Sequence, residues 1–482
     1  MSRVVVVGAG VGGLAAAARL AALGHAVTVC EQAPEVGGKL GWVTHAGGFG
    51  FDTGPSLVTM PQVFRDLFHE TGDPLEQVLP LRRTTLPRAR FADGTVMATA
   101  VTEQDFLGGL DPRQRQQWQA LLARAEKIWD ATHLPFLTSP LGSLPALLRL
   151  LPGQLRDLRT VAPWQTLHGL GTSYLPDEHL RTLLDRYATY TGSDPRRAPA
   201  ALAVVPFVEQ RFGAWYVDGG LHRLGLAIRD RAIERGAVVR TGADVVAIET
   251  AGRGVSGVRL ADGSSLPADV VVANADAAHL YGDLVPRRRL ARRVASRASA
   301  SGFVVLLAVR GETPGLAHHE VFLPADYGRE FDELRAGTAP LSDPAIYVSV
   351  PRDPAVAPAG CESWFVLVNA PRQGQLDWDA PGLAEAHTDA VLRLLAARGL
   401  DVRDRVQWRS TRSPADLARA TRAVGGAIYG TSSDGARAAF LRPANRSRVP
   451  GLFLVGGSAH PGGGLPLVTL SARIVAGLVG PP

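Results

Sequence analysis

The sequence predicts an α/β fold built on a parallel sheet, with a second α+β domain inserted into the chain between the pieces of that sheet. Apolar runs bounded by turn residues predict the buried parallel strands, at residues 4–7, in VVVAN near residue 272 and in GLFLVGG close to the C-terminus. A glycine-rich turn and an Ala/Leu helix pattern follow the first run directly. Strand, turn and helix in this order indicate a doubly wound sheet domain.

Size and composition indicate a folded protein with more than one core. The 482 residues are 46% hydrophobic, which suffices for two or three domains. The formal net charge of +6 comes from 51 basic and 45 acidic residues that are interspersed rather than gathered in Lys/Arg blocks. We therefore expect no nucleic-acid partner.

The two cysteines and the apolar N-terminus carry little functional signal. Cys30 and Cys361 form neither a metal spacing nor a disulfide framework, and Cys30 ends an apolar run, so we expect it in the core. The stretch 4–24 is built on regularly spaced glycines and lacks a cleavage site, which argues against a signal peptide. No series of 18 uncharged apolar residues predicts a membrane-spanning helix.

The stretch VVVVGAGVGGLAAAARLAALGHAVTVCE contains the sharpest motif. Gly8, Gly10 and Gly13 have the G-x-G-x-x-G spacing: the first allows a sharp turn, the second a close pyrophosphate, and the third close packing of helix on strand. Glu31 ends the next strand, where an acid can bind ribose hydroxyls. These elements together predict a dinucleotide-binding turn, for either NAD or FAD.

The next stretch, QAPEVGGKLGWVTHAGGFGFDTGPS, favours FAD. Its glycine pair ending at Gly38, followed by the cation Lys39, resembles the flavoprotein pattern that contacts a long FAD a second time. Gly54 and Pro55 would then form a tight loop near the isoalloxazine. The alternative is that these glycines only turn a hairpin.

The cofactor domain is predicted to be discontinuous, formed by residues 1–75, 219–289 and 441–482. The middle piece alternates helix-like and strand-like patterns. Within it, Val245 lies where such flavoproteins use backbone groups to hold the adenine. The last piece contributes the strand GLFLV.

Residues 76–218 and 290–440 are predicted to form the substrate domain. The first insertion is mainly helical with many breakers, and the second mixes strands such as FVVLLAV and WFVLVNA with helix. The segment 134–170 combines short apolar clusters, Trp164 and scattered arginines, so it is a candidate for lying in a membrane interface. Ordinary core helices broken by proline are the alternative.

The closing motif GGSAHPGGGLPLVTLSAR is predicted to hold the far side of the same cofactor. The strand GLFLV brings the chain to the flavin, and the glycines allow close backbone approach. A helix starting at Pro466 would direct its N-terminal amides and dipole toward the flavin pyrimidine oxygen, where reduced flavin carries charge. The predicted cofactor contacts here are Gly457, Gly464, Leu465, Pro466 and Val468.

Candidates for proton handling and for the substrate channel come from titratable and aromatic residues. His460 lies beside the flavin loop and has a suitable pKa range, although hydrogen bonding to a loop backbone is an alternative role. Glu209, in VPFVEQRF, could face the channel or be a paired carboxylate. The aromatic candidates for lining a polyene channel, with core packing as the alternative, are Tyr187, Tyr190, Trp215 and Tyr216.

A metal site is not expected. The adjacent His318 and His319 would point to opposite faces of a strand, so they would not share a metal ion. The sequence also offers no Ser/His/Asp constellation for nucleophilic catalysis.

Several segments together resemble the bacterial phytoene desaturase family of carotenoid enzymes. Besides the glycine motifs, these are GAWYVDGGLHRLGLAI, VVANADAAHLYGDLV and LAHHEVFLPADYGREFDEL, in the family's order and over almost the whole chain. The resemblance implies an FAD-dependent enzyme with a fold like flavin amine oxidases and GDP-dissociation inhibitors. It also implies a cytoplasmic, peripheral (monotopic) membrane protein acting on long acyclic polyenes.

The chain departs from the phytoene-type pattern in places. Lys39 stands where that family tends to have arginine, and Gly463 and Leu467 replace an alanine and a glycine. The stretch GGAIYGTSSDGARAAFLRPANRS resembles the branch that acts later, on the ends of desaturated carotenoids. That branch includes hydroxyneurosporene desaturases and terminal-methyl oxidases.

The implied reaction is desaturation, in which an allylic CH2–CH2 gives a hydride to flavin N5 and loses a proton, extending conjugation. Holding the reacting bond in a dry tunnel would supply most of the catalysis. Terminal oxidation, redox-neutral cis-trans isomerisation and a non-catalytic lipid-binding role are the alternatives. The expected partners are a polyene delivered from the membrane, the bilayer surface, and oxygen or a quinone as electron acceptor.

Overall fold

The computed structural model describes most of the chain. The described residues are 1–97, 100–140, 161–162, 164–435, 438 and 442–482.

A five-stranded sheet, called here the cofactor sheet, organises one side of the molecule. All of its neighbouring strands run parallel, which the continuous apolar runs predict. In spatial order its strands are Leu452–Leu454, Val270–Ala273, Arg3–Val7, Ala26–Cys30 and Val238–Arg240.

A six-stranded mixed sheet, called here the second sheet, organises the other side. Its strands pair antiparallel except the last two, which are parallel. In spatial order they are Val406–Arg412, Ser301–Arg310, Cys361–Ala370, Ile346–Ser349, His319–Phe322 and Arg88–Arg90.

The described residues also form three small antiparallel sheets. They are Ser265–Pro267 with Gly254–Leu260 and Val245–Ala251; Trp42–His45 with Phe49–Asp52; and Arg82–Thr84 with Ala214–Tyr216.

Helices cover both sheets and fill most of the first insertion. The α-helices are Val11–Ala22, Pro61–Thr71, Leu75–Val78, Glu103–Gly108, Pro112–Thr132, Leu167–Tyr174, Glu178–Arg186, Val204–Phe212, His222–Glu234, Ala277–His279, Arg288–Ala295, Tyr327–Ala336, Leu383–Ala397, Pro414–Thr421 and Leu465–Val479. Short 3-10 helices are Tyr187–Thr191, Ala200–Ala203, Arg403–Arg405 and Val424–Gly426, and π-helices are His133–Leu137 and Leu280–Leu284.

The packing of the first helix, Val11–Ala22, explains why its sequence is rich in alanine. It packs beside both His222–Glu234 and Leu465–Val479, and its residues from Leu14 to Ala18 have no exposed surface. Small side chains let three helices approach one another on one face of the cofactor sheet. Cys30 is 1% exposed in the core of this sheet, which confirms its expected burial.

All five strands of the cofactor sheet fall within the three segments predicted for the cofactor domain. One element of the first segment also packs elsewhere, because Phe49 and Phe51 of a hairpin contact Leu306 and Phe365 of the second sheet. This hairpin therefore links the two sheets. The division into two domains stays a prediction.

The segment 134–170, predicted as a membrane-interface candidate, lies largely outside the described residues. At its described ends Leu134 is 62% exposed and Trp164 is 68% exposed. Among the described residues, no helix combines the length and apolar composition that crossing a membrane would require.

Candidate flavin and substrate site

The glycine-rich turn at the carboxyl end of strand Arg3–Val7 has the geometry its spacing predicts. Gly8 has φ +95°, and its amide donates to the Cys30 carbonyl over 2.8 Å. A Cβ on Gly13 would lie 2.1 Å from the Gly8 carbonyl oxygen, so the helix could not pack this closely with any side chain there. The first and third glycines are therefore required by the fold itself.

Gly10 begins the first helix without a side-chain cap. The amides of the first turn consequently have no partner within their helix and can bind an anion, favoured by the helix dipole. Asn274, which directly follows a neighbouring strand, borders this turn, since its Nδ2 would lie 2.8 Å from a Cβ on Gly10. The site fits the pyrophosphate of a dinucleotide.

Glu31 lies against the turn at the end of the second strand. It is 7% exposed, and its two carboxylate oxygens accept hydrogen bonds from the amides of Ala9 (2.7 Å) and Ala33 (2.9 Å). Each oxygen can accept a second bond, so ribose hydroxyls remain acceptable partners. Val245 begins the nearby strand, and the adjoining Ala243 amide donates to the Glu31 carbonyl over 2.8 Å.

The second glycine pair packs on the turn. The Gly37 amide donates to the Ala9 carbonyl over 2.9 Å, and a Cβ on Gly38 would lie 3.3 Å from the Gly10 Cα. The loop containing Gly54 and Pro55 follows, and a Cβ on Gly54 would lie 1.8 Å from the Lys39 carbonyl oxygen. Backbone is thus stacked on backbone at the position predicted for FAD.

The side chain of Lys39 is directed toward the segment around Ala427 rather than toward the glycine turn. Its Nζ donates to the carbonyls of Ala427 (2.8 Å) and Ile428 (2.7 Å), and burial lowers its pKa to about 8 while the Asp276 carboxylate opposes this. An ammonium group has three protons, so one remains for a cofactor contact. A cofactor role for Lys39 stays a prediction.

The closing motif supplies a second helix N-terminus that has no side-chain cap. Gly464 has φ +109° and precedes the last helix, Leu465–Val479, without a side-chain cap, and an added Cβ would meet no atom within 4 Å. The helix begins one residue before Pro466, and the Val468 amide donates to the Gly464 carbonyl over 3.0 Å.

The two open helix ends belong to neighbouring elements. A Cβ on Gly12 of the first helix would lie 3.2 Å from the Cα of Gly456, which together with Gly457 precedes the last helix. Residues 8–13, Glu31, the loop 37–55 and the loop 456–464 together form the cofactor cradle.

His460 is buried within the cofactor cradle. It has no exposed surface, its Nε2 donates to the Ser139 carbonyl over 3.0 Å, and its ring meets the Phe136 ring edge-on at 4.8 Å. Burial lowers its pKa to about 4, so the imidazole is neutral at pH 7. This gives His460 a packing role, and its catalytic role stays a prediction.

Glu209 and two of the predicted channel tyrosines come together. Tyr187 and Tyr190 each donate a hydroxyl hydrogen bond to one Glu209 oxygen, over 2.8 and 2.9 Å, and Glu209 is 1% exposed. Burial raises the Glu209 pKa, whereas the nearby Arg186 charge and the two hydroxyls lower it. These four residues are called here the buried polar cluster.

The other two aromatic candidates lie elsewhere. Trp215 and Tyr216 pack with the hydrophobic core of the cofactor sheet, whereas Tyr187 and Tyr190 pack with the helical insertion. The Tyr216 hydroxyl donates to Asp353 over 3.1 Å. The four aromatics thus belong to two different core clusters, and their role in lining a channel stays a prediction.

The orientation predicted for the histidine pair is wrong. The rings of His318 and His319 stack with centroids 4.1 Å apart instead of pointing to opposite faces. The reason is that the strand begins only at His319, so alternation does not apply to its predecessor. Among the described residues, no group of three or more His, Cys, Asp or Glu side chains could hold a metal ion.

Sequence reasoning missed Arg186 and Asn274. Asn274 could have been found, because it directly follows the buried strand Val270–Ala273, and carboxyl ends of parallel strands line such sites. Arg186 gave no signal, since it ends an ordinary amphipathic helix and becomes significant only through its tertiary neighbours.

A parallel sheet with two uncapped helix N-termini, a glycine turn and a buried acid is the architecture of a dinucleotide-binding protein. The family model for flavin-containing amine oxidoreductases matches residues 11–480. Among curated proteins, the 4,4'-diapolycopene oxygenase of a Methylomonas species is 34% identical over 98% of this chain and 97% of its own. The hydroxyneurosporene desaturase of Cereibacter sphaeroides is 35% identical, over 98% and 96%.

Two further similarities agree with this assignment. The zeta-carotene-forming phytoene desaturase of Myxococcus xanthus is 34% identical, over 98% of this chain and 93% of its own. An oxidoreductase structure from Methanosarcina mazei has a TM-score of 0.65 at 18% identity, covering 98% of both chains. The chain therefore belongs to the flavin-containing amine oxidoreductase family, within its carotenoid desaturase group, and uses FAD.

The predicted α/β fold, the FAD cofactor and the oxidoreductase class are thereby confirmed. The individual contacts that the predicted site residues make with FAD or substrate stay predictions.

Proposed function

We propose that the protein desaturates an acyclic carotenoid by removing two hydrogens from a CH2–CH2 unit next to the polyene. The observation that carries this proposal is the 34–35% identity, over 98% of the chain, to the Myxococcus xanthus and Cereibacter sphaeroides desaturases. When bound, FAD supplies a two-electron acceptor at its N5 atom.

The chain's own residues hold and shield the reacting groups. The uncapped N-terminus of Leu465–Val479 directs its amides and dipole toward the cofactor side, which stabilises negative charge there. The interior around Glu209 and His460 is buried, so water is excluded and electrostatic interactions are strengthened.

Glu209 is the better candidate for accepting the proton. Burial raises the pKa of the Glu209 carboxyl, which favours proton uptake, whereas burial lowers the pKa of the His460 imidazole to about 4. The C–H bond next to an extended polyene cation is acidic, so a weak base is enough to remove its proton. Tyr187 and Tyr190 would orient the carboxylate through their hydroxyls.

The reaction can be tested with purified, FAD-loaded protein in liposomes containing phytoene, lycopene or a hydroxylated acyclic carotenoid. Desaturation shifts product absorbance to longer wavelength, lowers product mass by two hydrogens per step, and consumes electron acceptor in equal amount. Oxygen and a quinone are the acceptors to compare. Turnover of none of these substrates, with FAD bound, would reject the proposal.

Terminal oxidation is a second candidate function. It is favoured by the 34% and 33% identities to the oxygenases of a Methylomonas species and of Staphylococcus haemolyticus. Its product would gain oxygen mass. A change of double-bond geometry without acceptor consumption would indicate isomerisation instead.

We also propose that the substrate reaches the site from a bilayer to which the protein attaches peripherally, on the cytoplasmic side. Long polyenes are insoluble in water, and Leu134 and Trp164, both within the candidate interface segment, expose apolar side chains. The double variant Leu134→Ser/Trp164→Ser should bind liposomes less well in flotation. Leu23→Ser, at a leucine that is 41% exposed, is the matched control and should bind like wild type.

A further inference from the structure

Arg186 is a buried arginine beside two of the predicted channel tyrosines, and its side chain has no hydrogen-bonding partner among the described residues. Arg186 is 7% exposed, and its guanidinium lies over the rings of Tyr187 (5.9 Å) and Tyr190 (5.2 Å). Within the part of the chain that the structure describes, the guanidinium forms neither a hydrogen bond nor an ion pair. Burying polar N–H groups without acceptors is unfavourable, so such a group indicates a ligand.

Glu209 balances the charge of Arg186 without occupying its donors. The two Glu209 oxygens accept the hydroxyl hydrogens of Tyr187 and Tyr190 instead. Arg186 nevertheless lowers the Glu209 pKa against the rise caused by burial, so the two charges are close in space. The ionised carboxylate of Glu209 neutralises the guanidinium charge, while no acceptor among the described residues takes up the N–H groups of the guanidinium.

The arginine lies in the same interior as the loops of the cofactor cradle. Its charge acts on Tyr347 and Tyr429, where it partly offsets the effect of burial, which raises each pKa to about 12. The Tyr347 hydroxyl is 2.6 Å from Ser56 Oγ, directly after Pro55, and the Tyr429 Cα would be 3.1 Å from a Cβ on Gly463. A ligand on Arg186 would thus lie close to the flavin.

The chemistry of this site favours a neutral oxygen atom. A pure hydrocarbon offers nothing for a guanidinium to bind, and an anion would lose attraction because Glu209 already balances the charge. A hydroxyl or carbonyl oxygen accepts N–H hydrogen bonds and brings no net charge. Within the described ranges a second unpaired group is near, since the Nε2 of His319 is fully buried without a partner while its Nδ1 and the Tyr347 hydroxyl share a 2.8 Å hydrogen bond.

We propose that Arg186 binds the oxygen of a hydroxyl or carbonyl group at the end of the carotenoid and so selects oxygenated over hydrocarbon substrates. The inference rests on the proposed function and specifies its substrate class. Because Tyr347 and Tyr429 link this interior to the loops of the cofactor cradle, the bond that reacts would be within a few carbons of that oxygen.

The test compares an acyclic carotenoid carrying a terminal hydroxyl group with the hydrocarbon of the same length and conjugation. Wild type should have the higher kcat/KM for the hydroxylated substrate. Arg186→Met combined with Glu209→Gln keeps the interior neutral and should lower this preference ~10- to 100-fold, the effect of losing charge-assisted hydrogen bonds. Arg186→Lys, which keeps the charge but loses the planar fork, should be intermediate.

Binding is measured in parallel by titrating each carotenoid against the flavin fluorescence of the same variants. Because Glu209 is itself a candidate base, the double variant is judged by its ratio between substrates and by binding, not by absolute rate. Arg231→Met removes another buried arginine, one that donates to the Phe68 carbonyl over 2.9 Å in the cofactor domain. It should lower stability and leave the substrate preference unchanged.

The outcomes separate the two proposals. An equal loss of kcat/KM for both substrates in the Arg186 variants would overturn the role of Arg186. A wild type that prefers neither substrate in kcat/KM and in binding would overturn it as well. Wild type that turns over neither substrate rejects desaturation, and the binding preference then decides the Arg186 proposal alone. If the double variant fails to retain FAD, the Arg186→Lys variant decides, and an unchanged preference in it overturns the inference.

Discussion

The cofactor cradle and the buried polar cluster face the same interior but are built from different materials. The cradle uses backbone: glycines at 8, 10 and 13 and two uncapped helix N-termini. The cluster uses side chains, with a buried carboxylate, a buried guanidinium, the buried phenol of Tyr187 and the half-buried phenol of Tyr190. A cofactor that is the same across a family can be bound by backbone, whereas selection of a substrate requires side chains that can change.

This difference implies different sensitivities to mutation. In the cradle, side chains added at Gly13 or Gly54 should be harmful, because their Cβ atoms would lie 2.1 or 1.8 Å from a backbone carbonyl oxygen. In the cluster, volume-conserving changes of charge and hydrogen bonding should be harmful while FAD stays bound. The variants below test this contrast, from the largest expected effect on turnover to the smallest.

Gly13→Val should abolish FAD retention and therefore activity. The new side chain would place its Cβ 2.1 Å from the Gly8 carbonyl, and the helix could only respond by moving off the strand. Flavin absorbance of the purified protein measures the result. Gly477→Ala is the matched control, since this helical glycine meets no atom within 4 Å; it should keep FAD and gain up to ~1 kcal/mol of stability.

Glu209→Gln should lower kcat ~100-fold while FAD content stays at the wild-type level, as expected for removal of a general base. In wild type, kcat should rise with pH across the ionisation of Glu209, at a higher pH than for an ordinary glutamate, because burial raises its pKa. The variant should lose that pH dependence. A kcat within a factor of two of wild type would exclude Glu209 as the proton acceptor.

Glu31→Ala should weaken FAD binding ~10-fold, because the Ala9 amide in the turn loses a charged acceptor 2.7 Å away. Titration of the apoprotein with FAD gives the dissociation constant, and kcat at saturating FAD should be nearly unchanged. Glu249→Ala, at a residue outside the cradle whose carboxylate accepts from Ser265, should bind FAD like wild type. A kcat defect that saturating FAD does not correct would assign Glu31 a different role.

His460→Gln should have the smallest effect on turnover, below ~10-fold, and a pH-dependent effect on stability. The folded state binds fewer protons than the unfolded state between the folded pKa of about 4 and the ordinary value of 6.5, so wild-type stability falls as pH decreases through that window. The contribution is at most ~3 kcal/mol. Unfolding free energies at pH 7 and pH 4.5 should differ less in the variant.

A second buried histidine provides the control for this measurement. Burial also lowers the pKa of His387 to about 4, and this residue packs against Phe303 and Trp378 under the second sheet. His387→Gln should reduce the same pH dependence and leave turnover unchanged. Loss of turnover at every pH in His460→Gln alone would instead support a catalytic role for His460.

The fold and the cofactor were predictable because their signals are local. The spacing of Gly8, Gly10 and Gly13 specifies backbone geometry over six residues, and no distant residue is needed to interpret it. The sequence likewise indicated Glu209, Tyr187 and Tyr190 as candidates, since acidic and aromatic residues stand out in an apolar insertion. It could not show that the three share hydrogen bonds, because the pairing joins two different helical segments.

By itself, then, the sequence determined the parallel sheet, the glycine turn and the FAD-dependent class, since each follows from short-range backbone constraints. The tertiary structure alone decided that Arg186 is enclosed with no hydrogen-bonding partner among the described residues, that His460 is held neutral against Ser139, and that His318 stacks on His319. These properties depend on burial and on neighbours far away in the chain. Desolvation and proximity arise only when the chain has packed, and they decide which polar groups remain available to a ligand.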